Sequence, residues 1–144
     1  MSFYKDFEEF FDNKAFIDEN GKFIKYRELQ SVCDEIKTLI GSRNLIACFC
    51  RNSIGSVVGY VSCLNSANVP ILIKSDTEHE LRGTLLEIYK PKYVWIPDSM
   101  SIYFEDGVIV YEIYGYQLRR ISDDSVKLHD DLALLLSTSD ILLN

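Results

Sequence analysis

Hydrophobic positions change period along this chain, and each change predicts an element. Phe3, Phe7, Phe10 and Phe11 recur at helical spacing behind Ser2, whose hydroxyl suits an N-cap. A short amphipathic helix that docks on the chain's own core is expected there. Two alternating segments then flank Glu19-Asn20-Gly21-Lys22. Asn-Gly accepts the positive φ of a type I′ turn, so a β-hairpin is predicted. Leu29, Val32, Cys33, Ile36, Leu39 and Ile40 return to helical spacing, and Gly41 is a natural stop.

The middle of the chain alternates apolar runs with amphipathic ones. "NLIACFC", "VPILI" and "KYVWIP" are nearly continuous in apolar residues, as strands are when both faces of a parallel sheet are covered. Between them, Ile54, Val57, Val58, Val61 and Leu64 make one helix face behind a cap at Asn52 or Ser53. Gly55 and Gly59 lie four apart on that face and permit close approach to a neighbour. Leu81, Leu85, Leu86 and Ile88 make a second face, with Ser75 or Asp76 as cap, Glu78 and Glu80 in the first turn, and Pro91 as terminator. From Asp98 to Asp130 the pattern is β-rich, with a turn signal at Glu105-Asp106-Gly107, and predicts two or three strands at an antiparallel edge. "DDSVKLHDD" reads as a polar linker and "LALLLS" as a last buried strand.

Strand, helix, strand, helix, strand implies right-handed βαβ crossovers. The expected fold is α/β: an open, mostly parallel sheet with helices on both faces and a β-hairpin near the N-terminus, all in a single domain over residues 1–144.

Composition narrows the function. With 47% apolar residues and 12% aromatics, the 144 residues can bury a core. The net charge of −7 argues against nucleic-acid partners and against anionic membranes. "MSFYKDFEEFF" lacks the basic start and apolar run of a leader, and no run approaches the ~20 residues of a membrane helix. A cytoplasmic protein is expected. Cys33, Cys48, Cys50 and Cys63 form no C-x-x-C pair and read as small buried thiols, with Cys48 and Cys50 on one strand face.

Motifs exclude more than they assign. No G-x-G-x-x-G, P-loop or nucleophile elbow is present. His129-Asp130-Asp131 and Asp123-Asp124 read as solvated turns or lead-ins. Arg51-Asn52 follows a strand's carboxyl end, where open α/β sheets take ligands, but two residues do not define a site.

The order of phrases says more. "AFIDENGKFIKYREL", with Tyr26, Glu28 and Leu29, then "LIACFCRNSIGSVVGYVSCLNSANVPILI", "HELRGTLLEIYKPKYVWIPD" and "HDDLALLLSTSD" occur in succession across nearly the whole chain. This succession resembles the N-terminal part of the adenylate-forming enzymes, the superfamily of AMP-dependent synthetases and ligases that includes acyl-CoA synthetases. Ser66-Ala67 stands where that family often has Ala-Gly, and its strand proline is displaced to Pro70.

The resemblance implies that Thr138 and Ser139 match the first Thr-Ser of the family's phosphate loop, usually written T-S-G-T-T-G-x-P-K. It further implies ATP with magnesium as cofactors of the parent enzyme, and CoA or a carrier thiol as acceptor. Asp140 departs from the pattern where the first glycine is expected, and "ILLN" replaces Thr-Thr-Gly. An acid beside phosphates, and Cβ bulk where φ must be free, oppose triphosphate binding. The expectation is therefore a truncated ligase segment that binds ATP weakly and is inactive alone, with no catalytic or metal-binding residues of its own. It is expected to self-associate through its C-terminal strand. The competing expectation is a non-catalytic α/β interaction module.

Overall fold

The computed structural model describes residues 14–17, 21–123 and 135–136. The predicted Phe-rich helix, the polar linker and most of "LALLLSTSDILLN" lie outside the described residues.

The N-terminal hairpin is present. β1 (Lys14–Ile17) pairs antiparallel with β2 (Phe23–Lys25), placing Ile17 opposite Phe23. Gly21 carries φ +81, the left-handed geometry a non-glycine residue resists. β2 leads into α1 (Tyr26–Ile40), which buries Leu29, Val32, Cys33 and Ile36. Gly41 (φ +71) ends it, donating its N–H to the Lys37 carbonyl at 2.9 Å. Leu39, expected inward, is 49% exposed. It falls at the margin of the helix stripe and lines a surface groove instead.

Three parallel strands form the centre: β3 (Leu45–Cys50), β4 (Val69–Lys74) and β5 (Tyr93–Pro97). β3 pairs with β4 from Leu45↔Val69 to Cys50↔Lys74, and with β5 from Ile46↔Tyr93. α2 (Ile54–Asn65) and α3 (His79–Tyr89) make the crossovers. The strand after the linker is recovered as β8 (Leu135–Leu136), parallel to β4.

Beyond β5 the chain departs from the expected run of strands. Asp98–Phe104 is a 3-10 helix pinned by Met100 and Phe104. The antiparallel edge follows as a hairpin, β6 (Val108–Ile113) and β7 (Tyr116–Arg120), with β7 against β5. Its turn is Tyr114-Gly115, with φ +54 and +74, the two positive values of a type I′ turn. The Asp106-Gly107 signal precedes the hairpin rather than closing it. The large sheet runs β6-β7-β5-β3-β4-β8. The fold class is as expected: α/β, with parallel pairing in the middle and an antiparallel edge.

Period-two alternation sorts the core onto two faces. Ile46, Cys48, Tyr93 and Trp95 meet α1 and α2, whereas Leu45, Ala47, Phe49, Val69, Ile71, Ile73, Val94 and Ile96 meet α3 and the 3-10 helix. The α2 face was only partly legible. Its buried residues are Ile54, Gly55, Ser56, Val58, Gly59, Ser62 and Cys63, so small residues rather than Val57, Val61 and Leu64 meet the sheet. The close approach expected at the glycines is real. A Cβ on Gly59 would collide with the Trp95 indole, and one on Gly55 would sit 2.5 Å from Tyr116 Cδ1.

α2 is capped by Ser53, whose hydroxyl accepts the Ser56 N–H at 3.4 Å. For α3 the expected caps fail. Glu78 stands at the N-cap with no side-chain bond, Ile88 points to solvent at 59% exposure, and only Arg82 and Leu85 are buried. The helix stops at Tyr89, with Lys90 left-handed ahead of Pro91.

Candidate functional site

In an open parallel sheet, ligands enter beyond the strands' carboxyl ends, where neighbouring strands send the chain to opposite faces. β3 sends it to α2 on one face, while its neighbours β4 and β5 send it to α3 and the 3-10 helix on the other. The residues just past β3 therefore occupy the centre of the edge. The first is Arg51, an exposed cation.

Arg51 is held from three sides. Its N–H donates to Ser56 Oγ at 3.3 Å, and its carbonyl accepts the Ser53 N–H at 2.9 Å. Its guanidinium lies 5.4 Å above the Tyr116 ring centre. Tyr116 is anchored in turn: its hydroxyl donates to the Phe49 carbonyl at 2.7 Å and its ring stacks on Trp95 at 5.3 Å. Burial pushes the Tyr116 phenol above its ordinary range, with Ser56 and Arg51 opposing. The Asp98 N–H donates to the Gly115 carbonyl at 2.8 Å, tying the hairpin turn to the end of β5. On the other side, the Ser75 N–H donates to the Cys50 carbonyl at 2.9 Å, and the exposed Lys74 ends β4.

This edge carries two cations, Arg51 and Lys74, and two acids, Asp76 and Asp98, just past the ends of β4 and β5, so both signs of charge meet there. The nearby thiols are poor nucleophiles. Burial raises Cys50, and Cys48 is raised well above the ordinary range by Cys63 and burial, so both stay protonated near neutrality. All four cysteines are free, and Cys33, Cys48 and Cys63 are buried, as read from the sequence. Among the described residues no three of His, Cys, Asp and Glu gather as a metal would require, and no helix is long and apolar enough to cross a membrane.

Of the residues singled out in the sequence, Arg51 stands at this edge and Asn52 beside it. Thr138 and Ser139 lie outside the described residues, as do His129, Asp130 and Asp131. Leu136, opposite Leu72, is the last described residue before them, in a strand that runs in the direction of β4. Asp123 forms an exposed ion pair with Arg120 at 3.6 Å. Tyr116 went unnoticed in the sequence. The signal was there: "YEIYGYQL" places Tyr-Gly between two β-rich runs, a weaker form of the Asn-Gly hairpin rule.

No protein-family model matches the chain, and no curated protein matches it. Solved structures do. The N-terminal subdomain of Klebsiella oxytoca NpsA, an adenylate-forming enzyme, superposes with a TM-score of 0.55 at 18% identity, in a crystal of space group P21. The same subdomain in complex with 3-hydroxybenzoyl-AMSN gives 0.54 at 18%. Over the matched part, the chain shares its fold with the N-terminal subdomain of NpsA. The resemblance read from the phrase order is thus met at the level of fold. The match covers 63% of this chain and 25% of the first NpsA chain, 24% of the second, so the chain spans about a quarter of the subdomain it matches.

Proposed function

We propose that this chain is the N-terminal part of an ATP-dependent acyl- or aryl-adenylating ligase of the acyl-CoA synthetase kind. The parent reaction joins a carboxylate to the α-phosphorus of ATP, expels pyrophosphate, and then lets a thiol of CoA or a carrier displace AMP. The observation that carries the reading is the shared fold with the NpsA subdomain, joined to the phrase "DLALLLSTS" at the position the family's phosphate loop would follow.

These residues fit the ATP-binding role incompletely. Arg51 and Lys74 supply positive charge at the carboxyl edge, and Thr138 and Ser139 would add hydroxyl donors to the phosphates. A phosphate nest, however, needs consecutive backbone N–H groups freed by glycine, and Asp140 and Leu143 occupy the two glycine places. The 144 residues by themselves are therefore proposed to bind Mg-ATP weakly and to be inactive as a ligase. Within the same reading, the protein is cytoplasmic, binds neither nucleic acid nor membrane, and self-associates through its C-terminal strand.

The coding DNA beyond Asn144 tests the family. A reading frame for Thr-Thr-Gly-x-Pro-Lys, in register or shifted, is expected; its absence from all three frames contradicts the proposal. Carboxylate-dependent pyrophosphate exchange by the 144-residue chain should be absent, and a robust signal would overturn its inactivity.

A further inference from the structure

At the end of the sheet opposite β8, the strand β6 is the outermost among the described residues. It reads Val-Ile-Val-Tyr-Glu-Ile, five residues of strong β-propensity around one charge, with no proline. Val108 and Ile109 are 54% and 44% exposed. Natural proteins blunt such edges with lysine, proline or a cover. Here the only irregularity is a bulge between Ile109 and Tyr111, which increases twist without adding charge.

Beside this edge runs α1. Between helix and strand lies an open groove of about 460 Å³, lined by Asp34, Glu35, Thr38, Leu39, Val110 and Tyr111. Leu39, Val110 and Tyr111 give it an apolar floor. Two carboxylates and no base make its rim. Glu35 also bonds the Tyr111 hydroxyl, and together with burial this raises the phenol, so the acid is fixed against the strand. Glu28 is fixed likewise by the Tyr114 hydroxyl at 3.3 Å.

A helix alongside an exposed strand edge is the geometry that captures an extended peptide. The strand's outward N–H and C=O groups take the peptide backbone, and the groove takes every second side chain. Charge decides the occupant. A second copy paired edge to edge would bring a strand with one acid and no base, which complements neither carboxylate of the rim. An extended segment with apolar and basic residues meets the floor and the rim together.

We infer that β6 and the α1 groove form a docking site for an extended apolar–basic segment of a partner protein, bound by strand addition. The test is fluorescence anisotropy of the full chain with labelled octapeptides of alternating Val and Lys, of Val and Glu, and of Val and Lys with two central prolines. The Lys peptide should bind, with the Glu and Pro peptides at least tenfold weaker. Leu39→Asp and Asp34→Lys should each weaken the Lys peptide at least fivefold. Both are exposed helix positions, and circular dichroism checks the fold. Equal binding of all three peptides, insensitivity to both substitutions, or no binding of the Lys peptide at millimolar concentration overturns the inference. A concentration-dependent dimer that Leu39→Asp dissolves would also overturn it, by assigning the edge to a second copy.

Discussion

The two faces of the large sheet are covered in different ways. On one face, α2 brings glycines and small residues directly onto Trp95 and Tyr116, and α1 closes behind it with the Cys33 thiol 3.4 Å from the Ser62 hydroxyl. The Trp95 indole N–H donates to the Gly55 carbonyl at 2.9 Å, so a large ring and a helix backbone share one plane of contact. On the other face, α3 buries only Arg82 and Leu85 and leaves Ile88 exposed. Gly83 on that helix has open space around it. Close packing leaves no slack for added atoms on the first face, while the second tolerates change. Within the proposed parent enzyme, the second face offers apolar surface at Ile88, Ile102 and Tyr103 to later segments.

The largest expected effect is on the tight face. Trp95→Ala removes a fully buried ring, its stacking on Tyr116 and its hydrogen bond, and should cost about 3–5 kcal/mol in urea unfolding. A cost below about 1 kcal/mol would mean that the two faces do not differ as described. Next is Gly59→Ala. The new methyl must displace the indole, and a loss of about 1–3 kcal/mol is expected despite alanine's better helix propensity.

Alkaline pH separates the faces by charge. All four cysteines belong to the α1–α2 side of the core. Burial pushes the Cys33 thiol from 9.0 up to about 11. A thiol held neutral in the fold but free to ionise when unfolded contributes stability that is complete below pH 9 and lost as pH rises toward 11. Urea midpoints should fall over that window, and Cys33→Ala should flatten the fall. An unchanged slope in the variant would assign the alkaline loss to other groups, such as Tyr116. The smallest effect is Gly83→Ala on α3. With nothing within 4 Å of the added methyl, helix propensity decides, and the variant should gain about 0.5–1 kcal/mol. A loss there would show α3 packed as tightly as α2.

What the sequence revealed follows the same division. Apolar runs at 45–50, 69–74 and 93–97 identified the parallel centre, because strands buried on both faces have no polar positions to blur the pattern. The Asn20-Gly21 hairpin was legible because its turn residues have few other uses. The α2 face was misread in part, because hydrophobic scales rank Val57 and Val61 above glycine. Where a tryptophan must lie against the backbone, the smallest residue is the one that faces in. The β-rich reading from Asp98 onward left no room for a helix, yet the chain continues from Pro97 as a 3-10 turn that seats Met100 and Phe104 before its two strands begin. Arg51 was visible at a strand end. Its support from Tyr116, distant by 65 positions in sequence, was not, because only the pairing of β5 with β7 brings the two together.

On the proposed reading, this chain shares the fold of an adenylating ligase's N-terminal subdomain, while Asp140 stands where the nucleotide-gripping loop needs its first glycine. Titration calorimetry of the 144-residue chain with Mg-ATP tests it most directly. The account predicts no saturable heat at micromolar nucleotide. Stoichiometric binding with a micromolar Kd, weakened when Thr138 and Ser139 are replaced by alanine, would contradict it.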